Sequence, residues 1–267
     1  MAIGIIESLD HEARGIARLD GKAVFVDGAL PGELVEYASF RRKPNYELAQ
    51  LVSVIKASSA RVEPRCPHFG VCGGCAMQHM DASAQVAAKQ RVLEDSLWHI
   101  GRVRPETMLS PVHGAPWGYR HRARLGVRCI ERKGGVLVGF HEKRSSYIAD
   151  IKSCAVLPLH ASALLLPLRE LIGDLSVADR LPQIELAIGE RCTALVFRIL
   201  CPLKSNDEKL LREFADRHHV VVYLQPKGPD TAYRFYPLDA PRLSYALPEF
   251  GLELDFKPTD FTQVNHA

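Results

Sequence analysis

Between residues 3 and 55 apolar and polar positions alternate in short runs, with Val24-Phe25-Val26, Leu34-Val35-Glu36-Tyr37 and Leu51-Val52-Ser53-Val54-Ile55 the clearest. Turn signals at Asp20-Gly21 and Leu30-Pro31-Gly32 separate them. A period of two broken by glycine and proline predicts antiparallel strands, here a small five-stranded barrel. Such a barrel closes its own edges and leaves one curved face and its loops for a ligand, as oligonucleotide-binding (OB-like) folds do. A purely structural barrel is the competing reading. Further on the period lengthens. Val86, Leu93, Leu97 and Ile100 fall on one helical face, with Asp81 or Ser83 as cap and Gly101 as stop. Tyr119 to Val127 reads as a strand, and Ile184 to Ile188 with Ala194 to Leu200 as a hairpin. Ser205-Asn206-Asp207-Glu208 caps a helix carrying Leu210, Leu211 and Phe214, and Val220 to Leu224 is a strand. The fold class is therefore α+β and rich in β, and His218-His219 reads as a helix end rather than a ligand site.

The chain has 267 residues, 47% of them hydrophobic, which at about 100 to 200 residues per domain suggests two domains. Its net charge of +3 comes from 34 basic and 31 acidic residues, so bulk charge selects neither nucleic acid nor an acidic partner. No apolar run approaches the roughly 20 residues that cross a bilayer. The start, Met1-Ala2-Ile3-Gly4-Ile5-Ile6-Glu7, lacks the basic-then-apolar order of a secretory signal. A cytoplasmic protein with no membrane partner is expected, its oligomeric state open and a monomer the default. Seven cysteines in a reducing compartment read first as metal ligands or catalysts.

Charge matters locally. Phe40-Arg41-Arg42-Lys43-Pro44-Asn45-Tyr46 sets three cations between aromatics, a combination that neutralises phosphates and stacks a base, although short basic stretches are commonly just solvated. From 118 to 145, Arg120, Arg122, Arg124, Arg128, Arg132, Lys133, Lys143 and Arg144 face only Glu131 and Glu142, eight cations against two acids. Strand alternation puts Arg120, Arg122 and Arg124 on one face, an expected cationic stripe for RNA phosphates, against the alternative of a charge-protected edge strand.

Cys66-Pro67-His68-Phe69-Gly70-Val71-Cys72-Gly73-Gly74-Cys75 is a C-x5-C-x2-C run. Gly73-Gly74 lets the backbone fold tightly enough for Cys72 and Cys75 to face one centre, and Pro67 fixes the entry direction. Three thiolates need a fourth ligand among Cys129, Cys154, Cys192 and Cys201. Cys129 and Cys192 sit in strand-like runs, where cysteine behaves as a small buried hydrophobe, and Cys201 just follows one. Cys154, in a break between elements, leads without excluding the others. Four thiolates suit tetrahedral zinc, the first reading on ligand identity alone, or an iron–sulfur cluster.

This cysteine run, with Gln78-His79 beyond it, resembles the cluster-binding segment of bacterial 23S ribosomal RNA uracil-5-methyltransferases. Asp20-Gly21-Lys22-Ala23-Val24-Phe25-Val26 and Ala29-Leu30-Pro31-Gly32-Glu33 resemble the family's N-terminal TRAM barrel, and Gly118-Tyr119-Arg120-His121-Arg122-Ala123-Arg124 its central basic motif. Phe261-Thr262-Gln263-Val264-Asn265 matches the motif that opens its methyltransferase domain. The resemblance implies a [4Fe-4S] cluster on Cys66, Cys72, Cys75 and Cys154; nothing near these residues resembles a substrate-activating centre, so a structural and RNA-positioning role is expected of it. It also implies 23S ribosomal RNA as partner and S-adenosylmethionine as methyl donor, contacted by Gln263. RNA contacts are expected from Arg41, Arg42, Lys43, Arg120, Arg122 and Arg124. The implied domains are a TRAM barrel at 1–58, an iron–sulfur and RNA-binding domain at 59–257, and the start of a Rossmann-like methyltransferase domain at 258–267, most of which is expected to be missing.

The family's chemistry uses a cysteine that attacks C6 of uracil and a carboxylate that removes the C5 proton. No cysteine context here resembles that nucleophile, and no glycine-rich strand-to-helix turn offers a cofactor site. Catalysis by these residues alone is therefore expected to be absent. Three competing readings are a zinc-stabilised RNA-binding module, an iron–sulfur electron-transfer or structural protein, and a transfer-RNA methyltransferase.

Overall fold

The structure is a computed structural model that describes residues 1–130 and 135–265. The chain divides into two compact units, one of 1–70 with 75–113, the other of 71–74 with everything from Gly114 onward.

The first unit opens with strands β1 (Ala2–Ile5), β2 (Ser8–Leu9), β3 (Gly15–Leu19), β4 (Lys22–Asp27), β5 (Leu34–Arg42) and β6 (Tyr46–Lys56). They form a sheet in the order β1-β5-β6-β4-β3-β2. It has six strands where five were expected, because β2 is two residues long, too short for an alternating pattern to register. The β4–β6 pair is parallel, from Ala23 opposite Tyr46 to Asp27 opposite Gln50, a departure from the all-antiparallel expectation. Alternation does place the core: Ala17, Val24, Val26, Val35, Tyr37 and Ala49 pack together, with Ile6 beside them.

Glu33, fully buried, ties this sheet to the segment after β6. Its carboxylate accepts hydrogen bonds from the N–H of Leu30 at 2.8 Å and of Ser58 at 3.2 Å, and from Arg61 Nε at 2.5 Å and Nη2 at 2.7 Å. Arg61 Nη2 also reaches the Gly28 carbonyl at 2.8 Å. Residues beyond the expected boundary at 58/59 are fastened to the barrel, and 59–70 and 75–113 lie in the same compact unit. Helix α1 (Ala82–Ser96) starts at Asp81, whose side chain caps the N–H groups of Ser83 and Ala84, and runs through one π turn at Leu97–Gly101. Arg102 then takes a left-handed conformation with φ 52°, which ends the helix one residue past the expected glycine. The expected apolar face is not buried; Leu93 is 51% and Ile100 83% exposed.

In the second unit, β7 (Arg122–Ile130), β8 (Gly135–Gly139), β9 (Gln183–Ile188), β10 (Thr193–Arg198), β11 (Val220–Gln225) and β12 (Tyr233–Tyr236) form a sheet in the order β12-β11-β10-β9-β7-β8. Helices α2 (Leu159–Ser162), α3 (Leu165–Asp174) and α4 (Ser205–His218) complete it, with a separate ribbon of β13 (Leu243–Leu247) and β14 (Leu252–Phe256). The expected β9–β10 hairpin, α4 and β11 are all present. Helix α3 buries Leu165, Leu168, Leu171 and Ile172, and α4 buries Leu211, Phe214 and Ala215. Asp207, also buried, accepts from the N–H of Lys204 at 3.0 Å and from the N–H and Oγ of Ser176, both at 2.7 Å, fixing the start of α4. His218 ends α4 and His219 caps it at φ 53°, as the helix-end reading expected.

Parallel pairing occurs only at β4–β6 and β10–β11 among the described residues, so no doubly wound sheet is among them. Residues 258–265, expected to open a further domain, lie in the second unit, where the Val264 carbonyl accepts the His121 N–H at 2.8 Å. No helix of the described residues is long and apolar enough to cross a membrane.

Burial raises the Glu33 pKa, but the hydrogen bonds from Arg61 and the Leu30 and Ser58 N–H groups outweigh it and hold the group below its ordinary 4.5. A depressed carboxylate stabilises the fold above its unfolded pKa and loses that contribution as pH falls through the folded value. Glu33→Gln is expected to cost about 3 kcal/mol in urea unfolding at neutral pH, because Arg61 is left without its carboxylate. The same variant should lack the part of acid destabilisation that the parent shows below pH 4.5.

Candidate metal centre and nucleic-acid interface

The four expected cysteine ligands divide between the units, Cys66 and Cys75 in the first and Cys72 and Cys154 in the second. In the first, the Cys66 N–H donates to Gln78 Oε1 at 3.1 Å, and the Cys66 carbonyl accepts the Phe69 N–H at 3.1 Å. Gln78 is buried, so its amide is a fixed anchor for the start of the loop.

In the second unit, 71–74 are stitched to the end of β8. The Gly73 N–H donates to the His141 carbonyl at 2.8 Å, and the Lys143 N–H to the Val71 carbonyl at 2.8 Å, while Cys72 bridges Glu142. A Cβ on Gly73 would lie 2.9 Å from the His141 oxygen, and one on Gly74 would lie 3.2 Å from the Phe140 ring. Neither glycine can carry a side chain without moving backbone or ring. The Gly74 N–H points at Cys72 Sγ at 3.4 Å, the kind of N–H···S contact that stabilises a thiolate and tunes a metal-bound sulfur. Cys154 is 9% exposed, and its N–H donates to Ser162 Oγ at 2.8 Å.

Cys66, Cys72 and Cys154 are thus each held by backbone contacts within their own units. Among the described residues no three Cys, His, Asp or Glu side chains form a group that could hold a metal ion. No cysteine among the described residues is in a disulfide. Of the other three cysteines, Cys129 lies in β7 but is exposed, near the strand's end, rather than buried as expected. Cys192, expected inside a strand, precedes β10 and contacts the Pro241 carbonyl at 3.5 Å, and Cys201 follows β10.

The arginine stripe is corrected by its neighbours. Arg120 precedes β7, and its guanidinium lies 4.9 Å from the centre of the Phe140 ring, with Nη1 on the Gly74 carbonyl at 3.3 Å. It supports the cysteine loop. Arg122 and Arg124 do share a face, opposite the buried Ala123 and Leu125, yet both pair with Glu185 on β9, at 3.6 and 3.1 Å. Only Arg124 remains open, its side chain 70% exposed against 18% for Arg122. Glu131, Arg132 and Lys133 lie outside the described residues.

On the barrel, Arg41, Arg42 and Lys43 are all exposed at the β5–β6 hairpin. Arg42 pairs with Glu47 at 3.5 Å; Arg41 and Lys43 have no carboxylate partner among the described residues. Phe40 is 53% exposed, whereas Tyr46 packs edge-on to Phe25 with ring centres 6.0 Å apart. Gln263 is exposed on a tail anchored one residue later by His121. Gln78 and Ser162, backbone partners of two cysteines, and Phe140 and His141, which shape the glycine pair, were not expected as site residues; only the adjacency of Gln78 to the cysteine run hinted at any of them.

Residues 5–52 match the family model of the TRAM domain, and the fold as a whole has a counterpart among RNA methyltransferases. A solved Pyrococcus abyssi tRNA (uracil-54, C5)-methyltransferase, in complex with S-adenosyl-L-homocysteine, covers 99% of this chain and is covered over 61% of its own, with a TM-score of 0.69 at 18% identity. At sequence level the chain is 74% identical, over its full length, to the 23S rRNA (uracil(1939)-C(5))-methyltransferase RlmD of Dechloromonas aromatica, spanning 62% of that protein. It is 63% identical to the protein of that name from Cupriavidus pinatubonensis and 62% to that of Burkholderia pseudomallei, over 98% of this chain and 58% and 57% of theirs. The chain thus spans about three fifths of these relatives' length. The expectation of a chain cut off before its catalytic domain, and inactive for that reason, finds no support in matches that run across all of it.

Gly73→Ala is expected to destabilise the folded chain by about 1–3 kcal/mol, the usual cost of forcing a methyl into a filled site. Thermal unfolding beside a Gly228→Ala control, where a Cβ meets nothing within 4 Å, separates that clash from a general effect of losing glycine.

Proposed function

We propose that this chain acts in the S-adenosylmethionine-dependent methylation of a uracil C5 in 23S ribosomal RNA, and that its two units bind and position the RNA. What carries the reading is 74% identity over the whole chain to a protein of that activity. The TRAM match over residues 5–52 supports an RNA-binding barrel. In this reading Cys66, Cys72, Cys75 and Cys154 hold a [4Fe-4S] cluster that supplies a rigid structural node. The buried Gln78 amide and the Ser162 hydroxyl fix the backbone at two of those ligands, and Arg120 with Phe140 supports the loop that carries two more. Arg41, Lys43 and Arg124, exposed and at most partly paired, make the phosphate contacts, with Arg42 and Arg122 weaker because Glu47 and Glu185 already engage them. S-adenosylmethionine supplies the methyl group, and Gln263 contacts it. The setting is the cytoplasm, where thiols stay reduced.

Each phosphate neutralised by a cation releases counterions, so the logarithm of the binding constant falls linearly with the logarithm of salt concentration. The variant Arg41→Gln/Lys43→Gln/Arg124→Gln should reduce that slope for a 23S rRNA fragment by about 0.7 to 0.9 per removed cation. Filter binding across a salt series measures it. An unchanged slope removes these residues from the interface, and no preference for the ribosomal fragment over unrelated RNA contradicts the reading as a whole.

A further inference from the structure

A cavity of about 430 Å³ opens in the second unit between β11, the β13–β14 ribbon and the turn at 257–260. Its volume lies within the range of about 300 to 1,000 Å³ typical of small-molecule sites. Tyr223, Leu243 and Phe256 supply apolar walls, and three cations, Arg234, Arg242 and Lys257, meet two acids, Asp255 and Asp260, around it.

Tracing each charge to its partner shows an imbalance. Arg242 pairs with Asp255 at 3.1 Å, which neutralises both. Asp260 accepts the Lys257 backbone N–H at 2.8 Å, leaving the Lys257 ammonium with no carboxylate partner among the described residues. Arg234 is the unusual member. Its guanidinium donates to the Tyr223 hydroxyl at 3.2 Å and to the carbonyls of Leu238, Ala240 and Pro241 at 3.2, 2.5 and 3.3 Å. Every one of those partners is neutral, so its charge is held rigidly at the cavity wall and is uncompensated there. Against the one carboxylate left without a cation, that of Asp260, the lining keeps two unpaired cations, a net excess of one positive charge beside aromatic walls, which favours a ligand that is anionic at one end and flat at the other.

We propose that this cavity takes a single phosphate-bearing nucleotide of the RNA, its base against the Tyr223 and Phe256 walls and its phosphate toward Lys257 and Arg234. The assignment rests on the RNA-binding reading and adds a nucleotide pocket to it. A free mononucleotide shares the same chemistry, and the test separates the two sources.

Calorimetric titration of the full chain with uridine 5′-monophosphate, with inorganic phosphate and with a short single-stranded oligouridylate is the test. Saturable binding of the mononucleotide is expected, at least tenfold tighter than phosphate, and Lys257→Gln should weaken it about tenfold by removing one charged contact. The oligouridylate should weaken in parallel. Lys209→Gln, on α4 and paired with Glu213, should change neither. Failure of the mononucleotide to bind, or phosphate binding as tightly, overturns the pocket. Mononucleotide binding that depends on Lys257 while the oligouridylate is indifferent to it overturns the assignment to an RNA strand. An oligouridylate that binds the parent and Lys257→Gln equally, with no mononucleotide binding, sinks this proposal and leaves the RNA-binding reading standing. Absence of RNA binding by the parent chain removes the reading beneath it.

Discussion

The hydrogen bond from the Gly73 N–H to the His141 carbonyl is the constraint on which the arrangement of the cysteine loop depends. It brings the loop backbone so close to the chain after β8 that a Cβ would sit 2.9 Å from the oxygen it binds. That contact sets the bridge of Cys72 to Glu142 and the aim of the Gly74 N–H at Cys72 Sγ. Arg120 closes the same assembly from the other side, donating to the Gly74 carbonyl while lying over Phe140. Backbone geometry of this kind is independent of any bound group. It fixes the Cys72 backbone against the chain after β8, and it explains why two glycines stand between Cys72 and Cys75.

Much of the fold was legible because it is local. The alternation through β4, β5 and β6, the Asp81 cap, the β9–β10 hairpin and the His218 helix end are all set by residues within a few positions of one another. What escaped was non-local. Two residues of β2 carry no period, and the parallel β4–β6 pairing depends on where β5 turns rather than on any residue within β4. The expected TRAM segment ends at Ser58, yet Glu33 reaches across 28 positions to hold Arg61. No composition shift marks a bond of that range.

The candidate site divides along the same line. The cysteine run with its glycine pair was legible as chemistry, since spacing and backbone freedom are written in consecutive residues. The arginines were legible as a pattern but not as a surface. Alternation correctly put Arg122 and Arg124 on one face, while the carboxylate that engages both, Glu185, sits 61 residues beyond Arg124. Arg120 falls outside the strand altogether and faces the loop. Arg234 was invisible for the complementary reason: three of its four hydrogen-bond partners are backbone carbonyls, which every sequence has.

Whether the four cysteines form an iron–sulfur centre is measured most directly by iron, sulfide and zinc content, with a visible absorption spectrum, of chain purified without oxygen. About four irons and four sulfides per chain, with a broad visible band, are expected for a [4Fe-4S] cluster. About one zinc with neither iron nor sulfide would contradict the cluster and leave a zinc-stabilised RNA-binding module in its place.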